Sequence, residues 1–187
     1  MKKLFILLMV CSLTGNAAAA ILTHLEFEGN ILDSTGNITY IGTPGSYVPG
    51  PAGFGQAMDF EADNGNVLYA EGIGAKLSSL TNQMTIAFWQ YGETDLSNPT
   101  NLFSANDPVN WSRISIQLPW NNEYVFFDTW GSGGAMDRIA KYAGDDPTQY
   151  NGQWNHWAFV KNTTLDDSSP ENSSCLLYTS PSPRDSA

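Results

Sequence analysis

Basic side chains are scarce in this sequence. Its 187 residues include 8 Lys and Arg against 19 Asp and Glu, a formal net charge of −11. From Ile21 to Ser174 the basic residues are Lys76, Arg113, Arg138, Lys141 and Lys161. Such a surface repels nucleic acid and anionic membranes, which removes both from the expected partners. It favours cations, neutral sugars or basic partners, and it also serves plain solubility in a saline or extracellular setting. Cysteine is nearly missing: Cys11 and Cys175 lie near the two ends, so the body of the chain has to be stable without disulfides. The two histidines, His24 and His156, are too far apart for any recognised zinc spacing. No apolar run reaches the roughly 20 residues of a membrane-spanning helix. There is no G-x-S-x-G, H-E-x-x-H or P-loop motif.

Residues 1–20 have the composition of a secretory leader. Lys2 and Lys3 form a basic start, Leu4 to Val10 an apolar stretch, and Ala17 to Ala20 a small-residue cleavage site. Cleavage after Ala20 is expected to leave Ile21 as the first residue, with a secreted or cell-surface destination. Cys11 follows an apolar run as a lipid-bearing cysteine does, but Val10 stands where a small residue is needed.

Helical periodicity is almost absent. Short runs of Val, Ile, Phe, Tyr, Trp and Thr alternate with Gly, Pro, Asn and Asp, the pattern of an all-β sandwich or barrel. Strands are predicted at 23–28, 38–41, 56–61, 67–71, 85–91, 101–105, 113–118, 123–129, 137–142 and 155–161. In 113–118, Ile114, Ile116 and Leu118 alternate with Arg113, Ser115 and Gln117, which predicts one apolar and one wet face. In 85–91 both faces are apolar, so that strand should run through the middle of the sandwich. Gly42–Gly45 and Pro49–Gly53 read as loops, and residues 76–80 as one helical turn.

Three segments carry a family resemblance. Gly55-Gln56-Ala57-Met58-Asp59-Phe60, Met84-Thr85-Ile86-Ala87-Phe88-Trp89 and Gly152-Gln153-Trp154-Asn155-His156-Trp157-Ala158 occur in this order. They resemble the G-x-A-[LM]-x-F, [FM]-T-[IV]-x-x-W and W-x-H-[VW]-A strands of concanavalin A-like, laminin G-like jelly rolls. The resemblance implies an all-β, two-sheet antiparallel jelly-roll sandwich over residues 21–162. It also implies that His156 packs within the sheet, and that a hairpin and later strands should follow Lys161. The sandwich is therefore expected to be incomplete at its C-terminus and the polypeptide poorly soluble or partly molten, with one strand edge bare. Residues 163–174 have no clear assignment. Cys175 to Asp185 resembles read-through of a sequencing adapter, so 175–187 is read as a non-native tail.

The implied role is an exported, non-catalytic recognition module for a glycan or an extracellular protein. The alternatives are a glycoside hydrolase of the same fold, with its acids in a missing part, and a purely structural surface domain. Glu61-Ala62-Asp63 and Glu93-Thr94-Asp95 each lack the third acid of the paired-acid strand such hydrolases use. Trp111, Trp120, Asn121, Asn122, Asp128 and Trp130 form the candidate ligand set. Aromatic faces suit the C–H side of a pyranose, and amide or carboxylate groups suit its hydroxyls. The same residues could equally cap a core. Asp59, Glu61, Asp63 and Asn64 are the densest oxygen donors and the candidate Ca²⁺ site, although a solvated strand face ending in an Asn-Gly turn has the same pattern.

Overall fold

The computed structural model describes residues 2–8, 21–60, 64–77, 83–92, 100–106, 113–118, 124–129, 137–143, 150–162 and 174–181. The chain divides into two units, Met1–Glu93 with Tyr150–Ala187, and Thr94–Gln149. The first holds β1 (Lys2–Leu8), β2 (Thr23–His24), β3 (Thr39–Thr43), β4 (Ser46–Pro49), β5 (Gln56–Phe60), β6 (Val67–Glu71), the short helix α1 (Ile73–Leu77) and β7 (Gln83–Tyr91). The second holds β8 (Thr100–Asn106), β9 (Arg113–Leu118), β10 (Tyr124–Thr129) and β11 (Asp137–Tyr142). The chain returns to the first unit with β12 (Trp154–Asn162) and β13 (Ser174–Pro181). Every pairing among the described strands is antiparallel. The fold is all-β, as expected for a β-sandwich.

In the first unit a seven-stranded sheet runs β13-β12-β7-β1-β5-β4, with β2 paired to β1, and β3 pairs with β6 in a second sheet. Strand β7 lies inside the larger sheet, as its two apolar faces predict. The edge of β12 that the sequence leaves bare is paired with Ser174–Pro181, and Lys2–Leu8 of the leader-like segment forms a central strand.

The family-like segments have a physical basis here. Gly55 has φ 71°, and an added Cβ would fall 1.8 Å from Glu28 Oε1, the atom that accepts the Gln56 N–H. Ala57 and Met58 are fully buried, and Phe60 meets Phe27 edge-on at 6.2 Å. Met58, Leu25 and Phe27 form a core cluster against which Tyr40 of β3 and Leu68 of β6 pack. Thr23 Oγ1 and the Tyr40 hydroxyl are 3.0 Å apart, tying β2 to β3. Along β7 and β12, Ile86, Phe88, Trp157 and Phe159 fill the buried face, with Phe88 and Phe159 stacked at 5.9 Å. Each such side chain contributes about 1.5–3 kcal/mol by leaving water. Gln90 is buried among them and accepts a hydrogen bond from Trp157 Nε1 at 3.2 Å. Asn155 Nδ2 donates to the Tyr150 and Gln153 carbonyls, closing the turn before β12.

Three further elements differ from expectation. The helical turn expected at 76–80 is α1 at Ile73–Leu77, with 78–80 outside the described residues. The predicted strand 23–28 is cut to Thr23–His24, because buried Phe27 takes φ 58°, which no extended strand permits. Ser46–Pro49, hidden between two Pro-Gly clusters, is a strand. It lies at the sheet edge, where a proline lacking an N–H is tolerated.

Asp33 organises the loop after β2. Its Oδ1 accepts from the His24 and Thr35 amides at 2.8 and 3.1 Å. Its Oδ2 accepts from Thr35 Oγ1, Asn37 N and Ile38 N at 2.7, 3.0 and 2.8 Å. Burial alone would raise the pKa of this carboxyl, but the donors outweigh it and hold the value at about 2.

Candidate ligand-binding face on the four-stranded sheet

The second unit is a consecutive meander, β8-β9-β10-β11. Side chains alternate between its faces. Ile116, Leu118, Val125 and Phe127 share one face and are nearly inaccessible. The opposite face carries Ser115 and Gln117 of β9, Tyr124, Phe126 and Asp128 of β10, and Arg138, Ala140 and Tyr142 of β11. Register puts Asp128 level with both Ser115 and Arg138, Phe126 with Gln117 and Ala140, and Tyr124 with Tyr142.

At one end of this face sits an ion pair whose carboxylate is buried and whose guanidinium is partly exposed. Asp128 is fully inaccessible. Arg138 grips it with Nε to Oδ1 at 2.6 Å and Nη2 to Oδ2 at 2.9 Å, and Ser115 Oγ donates to Oδ2 at 3.3 Å. This two-pronged geometry is the one a planar guanidinium makes best. Its hydrogen bonds to the carboxylate raise the Arg138 pKa further, so the guanidinium stays charged. The Arg138 side chain is still 37% accessible, and Nη1 is the end of its fork that Asp128 does not engage. Its Cζ lies 4.9 Å from the centre of the Phe126 ring, a cation–π distance. The expected wet face of β9 is thus corrected: Ser115 and Gln117 are polar but buried at 2% and 7% exposure. Ser115 is covered because it completes the shell of Asp128; Gln117 Oε1 is buried with no hydrogen-bond partner among the described residues.

At the other end the face is aromatic. Tyr124 stacks on Phe126 at 6.0 Å and lies 5.3 Å from Tyr142. Tyr124 and Tyr142 are 37% and 39% exposed. The result is a stretch of aromatic surface beside a fixed guanidinium. It suits a ligand with one apolar side and several hydroxyl or acidic oxygens.

Of the predicted ligand set, Asp128 is on this face, but buried in the ion pair, where it orients Arg138 rather than meeting a ligand. Trp111, Trp120, Asn121, Asn122 and Trp130 lie outside the described residues. Tyr124, Phe126, Arg138 and Tyr142 escaped the sequence reading. The available signal was the alternation of Tyr124, Phe126 and Asp128 along one strand, which acquires meaning only once β11 is placed beside it.

Of the proposed calcium donors, Asp59 is buried at 5% exposure in β5, Asn64 is exposed, and Glu61 and Asp63 lie outside the described residues. Among the described residues no group of three or more His, Cys, Asp or Glu is arranged to hold a metal ion. His24 Nδ1 lies 3.1 Å from Ser34 Oγ and 3.6 Å from Glu26 Oε1. Both neighbours meet the same ring nitrogen, so the imidazole cannot relay a proton between them as a catalytic triad requires. His156 packs against Trp89 at 5.1 Å on the face of β12 opposite Trp157, half-buried, and burial lowers its pKa. No helix among the described residues is long and apolar enough to cross a membrane. The chain matches no protein-family model, no curated protein and no solved structure.

Proposed function

We propose that this chain is an exported recognition module of the laminin G-like jelly-roll type. On this reading it binds a glycan through the β9–β11 face. The observation that carries it is the pairing of two accessible tyrosines, Tyr124 and Tyr142, with a guanidinium held rigid by a buried carboxylate. Pre-ordered groups lose little freedom on binding, which is how a small polar surface reaches useful affinity. The acid-rich charge supports a neutral sugar over a polyanionic one. The three family-like segments support the fold assignment, and the leader-like N-terminus supports export.

A glycan array probed with the full chain, with and without calcium, tests the reading. Binding of one glycan class is expected, weakened at least about tenfold by Tyr124→Ala or Tyr142→Ala. Absence of binding to every glycan would remove the carbohydrate reading. Binding that is indifferent to both tyrosines would move the site elsewhere.

A further inference from the structure

The large sheet of the first unit is joined across its middle by β1. Residues 3–7 of β1 pair with β7, from Lys3 level with Tyr91 to Leu7 level with Ala87. Lys2, Lys3 and Leu4 pair with Phe60, Asp59 and Met58 of β5. Leu7 and Leu8 pair with His24 and Thr23 of β2, which closes the far end. Among the described strands, no other links β5 and β4 to β7, β12 and β13. Yet β1 belongs to the segment whose basic start, apolar stretch and Ala17–Ala20 site are those of a cleaved leader.

We propose that the space between β5 and β7 is a strand-acceptor site. It is filled by β1 while the leader is attached, and by an extended segment of a second polypeptide once the leader is gone. Cleavage after Ala20 is the premise, taken from the sequence. Removing β1 leaves two facing strand edges about 10 Å apart, twice the ordinary interstrand spacing and therefore room for one strand. Each edge then shows a row of N–H and C=O groups that need partners. A single strand antiparallel to both satisfies the two rows at once.

The register specifies the chemistry of the occupant. Positions four and six of β1 are level with Met58 and Phe88, which are 0% and 1% exposed, so alternate residues there must be apolar. Position three is level with Asp59, a carboxylate only 5% exposed, which favours Lys or Arg. The body of this chain has little to offer in that role. Its basic residues Lys76, Arg113, Arg138, Lys141 and Lys161 already lie in α1, β9, β11 and β12. A basic, apolar peptide from a partner also complements the net charge of −11.

The test starts from the folded full chain, cut between Ala20 and Ile21 by leader peptidase. A fluorescent peptide with the sequence of residues 2–8 is then added. It is expected to replace the resident strand at one per chain. Amide exchange in Gln56–Phe60 and Gln83–Tyr91 should be slow in the intact and peptide-loaded protein. It should be roughly 100-fold faster after the cut strand is washed away. A peptide carrying Phe5→Pro should not load, because it lacks a central N–H. One carrying Lys3→Glu should load at least about tenfold more weakly, with like charge level with Asp59. Equal exchange in all three states would overturn the proposal. So would failure of the unmodified peptide to load while β12 amides stay protected. If the cut chain precipitates, Phe5→Cys with Trp89→Cys in the intact chain, with Cys11 and Cys175 replaced by serine, gives a second measurement. These positions are directly level, so a disulfide should form under mild oxidation, and its absence overturns the placement. The mass of the exported protein tests the premise separately. A product starting at Ile21 supports it, and one starting at Met1 excludes a second polypeptide from the site.

Discussion

Replacing Asp33 with alanine should open the loop that joins β2 to β3. Five donors converge on this one carboxylate: the amides of His24, Thr35, Asn37 and Ile38, and the Thr35 hydroxyl. Hydrogen bonds to a charged acceptor contribute about 1.5–3 kcal/mol each when removed singly. The five share one acceptor group and most are partly exposed, so their sum is not the expected loss. The Ile38 amide is the exception, since its bond is buried and water cannot replace the acceptor. A total of about 3–4 kcal/mol is expected for Asp33→Ala. Asp33→Asn should lose somewhat less, because one acceptor oxygen survives while the new amide N–H₂ meets donors. The acid limb offers an independent check. The folded carboxyl titrates at about 2 against an ordinary 3.8, so its contribution is present above about pH 4 and is lost as pH falls through 2. The shift corresponds to about 2 kcal/mol. Amide exchange at His24, Asn37 and Ile38, followed at pH 7, 4 and 2.5, reports the opening directly. A loss under about 1 kcal/mol in Asp33→Ala, or an acid dependence identical in wild type and variant, would refute the role given to Asp33.

Other outcomes follow from the same physics. Arg138→Ala removes both guanidinium bonds from the inaccessible Asp128 carboxylate and should cost about 3–5 kcal/mol by urea titration, while Asp128→Asn with Arg138→Met recovers much of that. Gly45→Ala places a Cβ 1.8 Å from the Asp59 carbonyl oxygen, which is backbone and cannot swing aside. It should separate β4 from β5 and lower the unfolding temperature more than Gly55→Ala, where the φ of 71° adds strain but the obstacle is the far end of the Glu28 side chain, which can give way by releasing the Gln56 amide. Burial keeps the His156 pKa below 6.5, so the folded state disfavours the imidazolium. Stability should fall as pH drops below about 6.5, and His156→Phe should flatten that dependence, with the imidazole titration followed by NMR.

Most strands were legible because apolar alternation is a local property. Val67–Glu71, Arg113–Leu118 and Asp137–Tyr142 fall where the pattern puts them. The failures have physical causes too. Phe27 reads as the end of an apolar strand, yet its positive φ turns the chain, and nothing in its side chain announces that. Ser46–Pro49 is short and fenced by Pro and Gly, so turn chemistry masks an edge strand. Ser115 and Gln117 read as solvated because polar residues usually are, yet both are buried, Ser115 beside the Asp128 carboxylate of the neighbouring strand.

Sequence alone determines the all-β class, the scarcity of helix and the acid surface, since each depends on residue type and period. It also holds the marks of a leader in residues 1–20. Tertiary structure alone decides which strands are neighbours and in what register. One residue of slip in β11 would move Arg138 away from Asp128 and Tyr142 away from Tyr124, and put both on the opposite face. The convergence of five donors on Asp33 and the place of Lys2–Leu8 between β5 and β7 are decisions of the same kind. Each joins groups from separate stretches of chain, and only the folded backbone brings their hydrogen-bonding edges together.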